Sequence, residues 1–302
     1  MKNLFRSTAL ALSAALGVSL AAIAPVHGAP LVYEGFDYPA AANGLNSKNG
    51  GTGFSAAYAS NNNADVLAGT FDYTDVNGKQ LQTSGNRAFM DSTSINGTTP
   101  PEPTGVSIAP ARNINAITGA PTTLYFSFLA KQTAGTDRDM TASLFAAGNG
   151  TFGTAERLSI GHGNGFTGWG AYALALGTNG AHTAIPATTL SFLVARVDLN
   201  DNGVNERFRI YVNPTLDAEP LVADVDVNAY NFIDTIGEIT RLRMRAGGSN
   251  ATQTASQGEF DELRLGLGYA DVAPVAVPEP ATATAMIAII GAAATLTIRR
   301  RR

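Results

Sequence analysis

Glu259-Phe260-Asp261-Glu262 is the stretch of this sequence where acidic side chains are spaced most like a general acid and base pair. Residues two apart on a strand share a face, so Glu259 and Asp261 point together and Glu262 points away. Retaining cleavage of a glycosidic bond needs two carboxyl groups about 5–5.5 Å apart. Positions 263 and 264, which would supply a further carboxylate, hold Leu and Arg. A two-carboxylate machine therefore cannot be assembled locally, and Asp261 reads as a structural polar residue near a strand end.

Asp198-Leu199-Asn200-Asp201-Asn202-Gly203 opens like a calcium loop, with oxygen-bearing Asp198, Asn200 and Asn202 at alternate places and a turn-permitting glycine sixth. The twelfth position is Arg209 rather than a bidentate Glu. The same residues also fit a hairpin loop whose Asn and Gly tolerate positive φ. Calcium is the cofactor this pattern leaves open, and no other cofactor is implied.

Two arginine sets fit carboxylate recognition. Arg241, Arg243 and Arg245 alternate with Leu242 and Met244, while Arg207, Arg209 and Tyr211 alternate with Phe208, Ile210 and Val212. Guanidinium groups bind carboxylates in a bidentate fork, so the two sets, side by side, could face an acidic polysaccharide. The reading favoured over this is a solvated sheet face paired with carboxylates of the chain itself. Trp169, between Gly168 and Gly170, could stack on a sugar ring or fill a core. His162 and His182 are isolated from any Cys, Glu or Ser partner and read as loop or surface residues.

The elements that must position these groups are short strands. Gly, Asn, Thr and Ala abound, long amphipathic periodicity is absent, and apolar and polar residues alternate at 124–128, 207–212 and 241–245. Further strands are expected at 31–38, 66–73, 87–91, 140–146, 157–161, 170–176, 190–199, 221–227 and 259–265. Long loops are expected at 40–63, at Pro100, Pro101 and Pro103, and at 148–168. More than ten strands in one uninterrupted segment imply an all-β fold, a two-sheet antiparallel jelly-roll sandwich. Between residues 29 and 274 there are 14 basic and 23 acidic residues, a net charge of −9, which disfavours a nucleic-acid partner. The chain has no cysteine, so neither disulfides nor a thiol nucleophile are available.

Both ends read as targeting segments. Lys2 and Arg6 precede an apolar run at 10–23 and a small-residue cleavage site before Ala29, which makes 1–28 a secretory signal peptide with a signal helix. At the other end stand Val277-Pro278-Glu279-Pro280, an uncharged run at 281–298, and Arg299 to Arg302. As a helix the run covers about 27 Å, enough for a transmembrane helix, and the arginines would hold its end in the cytoplasm. This arrangement at 275–302 resembles the PEP-CTERM sorting signal of Gram-negative bacteria. The resemblance implies export through the inner membrane, recognition of Pro-Glu-Pro by an exosortase, partnership with the secretion machinery, transient anchoring in the membrane, and a cell-surface or extracellular destination.

A second resemblance covers most of 31–272. Tyr33-Glu34-Gly35-Phe36-Asp37-Tyr38-Pro39, Asn49-Gly50-Gly51-Thr52-Gly53-Phe54, Arg209-Ile210-Tyr211-Val212-Asn213-Pro214 and Phe260-Asp261-Glu262-Leu263-Arg264-Leu265-Gly266 are similar to exported bacterial domains of the concanavalin A-like, laminin G-like superfamily. It implies pairing of the first strand near the last and a concave sheet open to ligands, and it makes 29–274 one domain. The acidic strand resembles that of laminarinase-type glycoside hydrolases, without its third carboxylate. The expected function is non-enzymatic: adhesion or carbohydrate binding within an exopolysaccharide layer. A divergent polysaccharide-active glycoside hydrolase and a purely structural matrix protein are the alternatives.

Overall fold

The computed structural model describes residues 28–59, 64–92, 107–135, 139–146, 155–163, 166, 168–172, 181–201, 203, 205–231, 233–247 and 256–277. Residues 1–27 of the signal peptide, Pro278, Glu279 and Pro280, the 281–298 span, Asn202 and the proline cluster lie outside the described residues. Among the described residues no helix is long and apolar enough to cross a membrane.

The described residues form fifteen strands: β1 (Val32–Glu34), β2 (Ala64–Leu67), β3 (Arg87–Asp91), β4 (Ser107–Ile108), β5 (Ala111–Asn113), β6 (Thr123–Ala134), β7 (Met140–Ala146), β8 (Glu156–His162), β9 (Gly168–Tyr172), β10 (Ala181–Pro186), β11 (Ser191–Asp198), β12 (Glu206–Val212), β13 (Val225–Tyr230), β14 (Ile239–Gly247) and β15 (Gln257–Gly266). A single helical turn, α1 (Tyr269–Val272), follows. One sheet of eight strands runs β13-β12-β11-β6-β15-β3-β2, with β1 also on β15. The other, of seven, runs β10-β9-β8-β7-β14-β4, with β5 also on β14. β6 pairs antiparallel with β15 in the first sheet, and their chain neighbours β7 and β14 pair antiparallel in the second. A long antiparallel ribbon thus folds over the core in jelly-roll fashion. β1 lies on β15, Tyr33 opposite Arg264.

Alternation builds the core between the sheets. Leu124, Phe126 and Phe128 of β6 and Phe208 and Ile210 of β12 meet Leu144, Leu158, Trp169, Leu242 and Met244 of the facing sheet. A second apolar cluster lies on the far side of the eight-stranded sheet, where Tyr125, Leu129, Phe192, Val194 and Tyr211 are covered by Leu81, Leu216, Tyr269, Val272 and Ala273. The larger sheet is therefore buried on both faces. The stretch expected to be a strand from residue 221 begins instead at Val225. Leu221 and Val222 lie in the covering loop with their side chains in solvent, because the alternation that suggested a strand there has no ladder partner.

A buried ion pair ties the long loop after β1 to the smaller sheet. Arg112 of β5 is almost fully buried and donates to Glu34 Oε2 at 2.7 Å, to the carbonyls of Gly50 and Ala56, and to Asn49 Oδ1. Its guanidinium lies 3.8 Å from the Phe54 ring centroid. Glu34 also accepts from the Tyr38 hydroxyl and the Phe36 amide. Gly53, at φ 79°, brings the loop so close that a Cβ there would lie 2.0 Å from the Leu31 carbonyl oxygen. The motif residues at 33–38 and 49–54 are therefore a structural clasp. Removing one member of a buried pair strands the other charge, at a cost of about 3–5 kcal/mol. Arg112→Met is expected to lower the urea unfolding free energy by about that amount, while a surface change such as Asn113→Ala leaves it within about 0.5 kcal/mol.

Candidate functional site on the outer face of the seven-stranded sheet

The structure separates the two arginine sets. Arg207, Arg209 and Tyr211 of β12 alternate with core residues Phe208, Ile210 and Val212, so they stand on the outer face of the eight-stranded sheet. Arg241, Arg243 and Arg245 of β14 alternate with Leu242, Met244 and Ala246 and stand on the outer face of the other sheet. The two faces point in opposite directions across the sandwich. They cannot grip one ligand together, and the expectation of a joint surface is corrected.

On β12 the charges are neutralised by neighbours. Arg207 makes a two-pronged pair with Asp226, at 2.7 and 2.6 Å, and Arg209 donates to Asp198 at 2.8 Å. The Tyr211 hydroxyl donates to Glu219, which also pairs with Arg196 at 2.9 Å. The adjacent turn shows where its oxygens go. Asp198 accepts from Thr123 and Arg196 on one oxygen and from Arg209 on the other. Asn200 adopts a left-handed φ of 50° and its carbonyl accepts from the Gly203 amide, closing the hairpin. Among the described residues no group of three or more His, Asp or Glu side chains is placed to hold a metal.

On β14 the environment differs. Arg243 and Arg245 are buried, 5% and 3% exposed, and Arg241 is half-buried. Arg243 Nη2 donates to Glu156 Oε1 at 2.7 Å, and Arg245 Nη1 lies 3.0 Å from Asp139 Oδ2. The Arg243 guanidinium stacks 4.4 Å from the centroid of Phe145. Register explains the grouping. Across the sheet, Asn113, Arg241 and Phe145 form one row, and Ala111, Arg243, Ser143 and Ser159 the next. Ser143 and Ser159 are joined at 2.7 Å between hydroxyls, and Ser159 donates on to Glu156 Oε1. Glu156 Oε2 is buried with no hydrogen-bond partner among the described residues. Burial pulls both inner guanidinium groups down from their ordinary range, Glu156 opposing this for Arg243 and Asp139 for Arg245. Arg241, close enough to Arg243 to repel it, makes no ion pair among the described residues.

The result is a cationic row on one face of a strongly acidic body. Arg241 is the member with a guanidinium left to offer. Glu156, Asp139, Ser143, Ser159 and Phe145 were not singled out from the sequence; the legible signal was the alternation of Thr141, Ser143 and Phe145 with the apolar residues of β7.

Trp169 does not join this face. It is fully buried between the sheets, and its Nε1 donates to Ser191 Oγ at 2.9 Å, so of the two roles open to it, sugar stacking and core filling, it takes the core one. The glycines on either side serve strand packing: a Cβ on Gly168 would lie 2.1 Å from the Thr183 carbonyl oxygen. His162 is a buried strand residue bonded to the Phe166 carbonyl, not a surface one. His182 is exposed, with its ring 4.2 Å from that of Phe166.

The acidic strand departs from simple alternation. Phe260 and Leu263 both enter the core, because β15 shifts register against β6 between Asp261 and Arg264. This bulge, with Glu262 at φ 55°, turns Asp261 and Glu262 to the same outer side. The expectation that Glu262 faces opposite Asp261 is corrected accordingly. Asp261 accepts from Thr70 Oγ1, the Phe71 amide and the Glu262 amide. Glu262 accepts from the Ser84 amide, the Tyr33 hydroxyl and Arg264. Glu259 pairs with Arg87.

Desolvation pushes the Asp261 carboxyl up to about 8, opposed by the amide and hydroxyl donors around it. A carboxyl whose folded pKa is raised stabilises the fold below its unfolded pKa, near 4, and that stabilisation is lost as pH climbs to about 8. Urea unfolding at pH 5, 6.5 and 8 is expected to show a falling free energy for the native chain and a flatter profile for Asp261→Asn.

No protein-family model and no curated protein matches the chain. Solved structures similar to it include the Emp46p carbohydrate recognition domain in its metal-free form, at 11% identity and TM-score 0.35, covering 63% of this chain and 87% of that one. Alginate lyase vAL-1 from Chlorella virus is similar at 12% identity and TM-score 0.37, covering 68% and 93%. The T. cruzi calreticulin globular domain is similar at 10% identity and TM-score 0.39, covering 69% and 83%. These likenesses transfer no role and no site residue.

Proposed function

We propose that the chain is an exported, non-enzymatic module of the concanavalin A-like type that binds acidic polysaccharide on the outer face of its seven-stranded sheet. The observation that carries the reading is the arginine row of β14, with Arg243 and Arg245 fixed in buried ion pairs and Arg241 without one among the described residues. Glu156 and Asp139 compensate Arg243 and Arg245, so the charge this row offers a ligand is that of Arg241, and a guanidinium matches a uronate carboxylate in two parallel hydrogen bonds. Asn113, exposed in the same row, adds an amide for ring hydroxyls. The sorting segments at 1–28 and 275–302 support delivery to the surface or matrix, with removal of the tail by an exosortase.

Truncating a charge-assisted contact costs about 1.5–3 kcal/mol, or roughly tenfold or more in affinity. Titration calorimetry of residues 29–276 with a polyuronate is expected to show salt-sensitive binding, weakened at least tenfold in Arg241→Ala and absent with a neutral glucan. Equal binding of both polymers contradicts the acidic-ligand reading. Release of reducing ends from the polymer would move the assignment to the glycoside hydrolase alternative, and no binding to any glycan would leave a structural matrix protein.

Replacing Pro278, Glu279 and Pro280 together by alanine is expected to leave an uncleaved, membrane-associated precursor, seen as a slower-migrating band in immunoblots of membrane fractions. Unchanged processing contradicts the sorting assignment.

A further inference from the structure

The segment leading to the sorting motif is part of the folded body. Pro274 to Ala276 lie beside Gln80 to Gln82, with the Gln82 amide donating to the Pro274 carbonyl and the Ala276 amide to the Gln80 carbonyl, both at 2.8 Å. Leu81 and Val275 form the bridge between them. Val272 and Ala273, just upstream, are buried in the second apolar cluster, and Val277 is the first residue to emerge, 52% exposed. The body therefore continues through Ala276, beyond the boundary expected at 274.

This leaves almost no slack. From Ala276 to Ala281, where the apolar span begins, five Cα steps reach at most about 18 Å. The headgroup layer of a bilayer takes up roughly 6 Å of that. The surface around the exit point must lie close to the membrane for as long as the span is in it.

The loop layer from which the chain exits carries the most exposed large apolar side chains of the described residues. Val76 is 87% exposed, Leu221 104% and Val222 82%. All three belong to the loop layer that covers the eight-stranded sheet. The 75–79 turn is joined to the 215–224 loop by Lys79 with Asp217 and by the Leu216 amide donating to Asp75 Oδ2. The same turn runs into Gln80, the partner of Ala276.

We propose that Val76, Leu221 and Val222 seat this loop layer on the bilayer while the tail is anchored, so that the arginine face on the opposite sheet points away from the membrane. The occupant of the patch is a lipid surface, because the short tether holds the patch there. Exposed Asp72 and the half-exposed acidic partner of Lys79 in the same layer disfavour anionic headgroups and select a zwitterionic surface. This seating rests on the sorting-tail reading.

The absence of cysteine permits a clean test. Val76→Cys, Leu221→Cys, Val222→Cys and, on the opposite face, Asn113→Cys are made singly in the full chain, labelled with an environment-sensitive fluorophore and reconstituted into phosphatidylcholine vesicles bearing a nitroxide quencher on the lipid. Quenching at 76, 221 and 222 is expected to exceed that at 113 at least threefold, and a twelve-residue Gly/Ser insertion between Ala276 and Val277 is expected to reduce the contrast. Equal quenching at all four sites, or stronger quenching at 113, overturns the seating while leaving the tail assignment intact. A full chain that fails to float with the vesicles overturns both.

Discussion

Arg243 and Glu156, buried together and 2.7 Å apart, are the contact on which the arginine face depends. Three guanidinium groups at alternate positions of one strand repel one another and lose solvation when the face is covered, as the lowered pKa directions of Arg243 and Arg245 show. Glu156 and Asp139 make the row tolerable by compensating its two inner members. They do not reach the outer one. Ser159, itself bonded to Ser143, donates to the same Glu156 oxygen that Arg243 contacts, so that the ion pair, the hydroxyl pair and Phe145 form a platform under the row.

The two faces of the sandwich spend their charges differently. The outer face of the eight-stranded sheet pairs every named arginine with a carboxylate and covers the rest with loops and α1, giving a second apolar cluster. The seven-stranded sheet keeps its charged residues on a face to which, among the described residues, Phe145 and Ala111 add apolar surface. Val277 leaves from the covering layer of the larger sheet, on the side opposite the arginine row.

Much of the fold was legible because alternation reports burial directly: β3 and β7 match their expected bounds, and the strands at 124–128, 207–212 and 241–245 all appear with the expected inward residues. What alternation cannot report is a bulge or a sheet assignment. Asp261 and Glu262 were assigned opposite faces because nothing in Phe260-Asp261-Glu262-Leu263 announces a residue at positive φ. The two arginine strands look alike in sequence, yet one belongs to each sheet, a fact set for β14 by its distant partner β7 and for β12 by its chain neighbours β11 and β13. Leu221 and Val222 show the converse error, apolar residues read as a strand that serve as an exposed loop. Trp169 could have gone either way; the close backbone approach at Gly168 and Gly170 decided it for the core.

Confinement of ligand contact to the row led by Arg241 can be read residue by residue. In arginine-selective NMR of residues 29–276, following the side-chain Nε resonances during titration with an oligouronate, Arg241 is expected to shift, Arg243 and Arg245 to shift less, and Arg196, Arg207 and Arg209 to stay in place. Shifts concentrated at the latter three, or none at any arginine under saturating ligand, would contradict it.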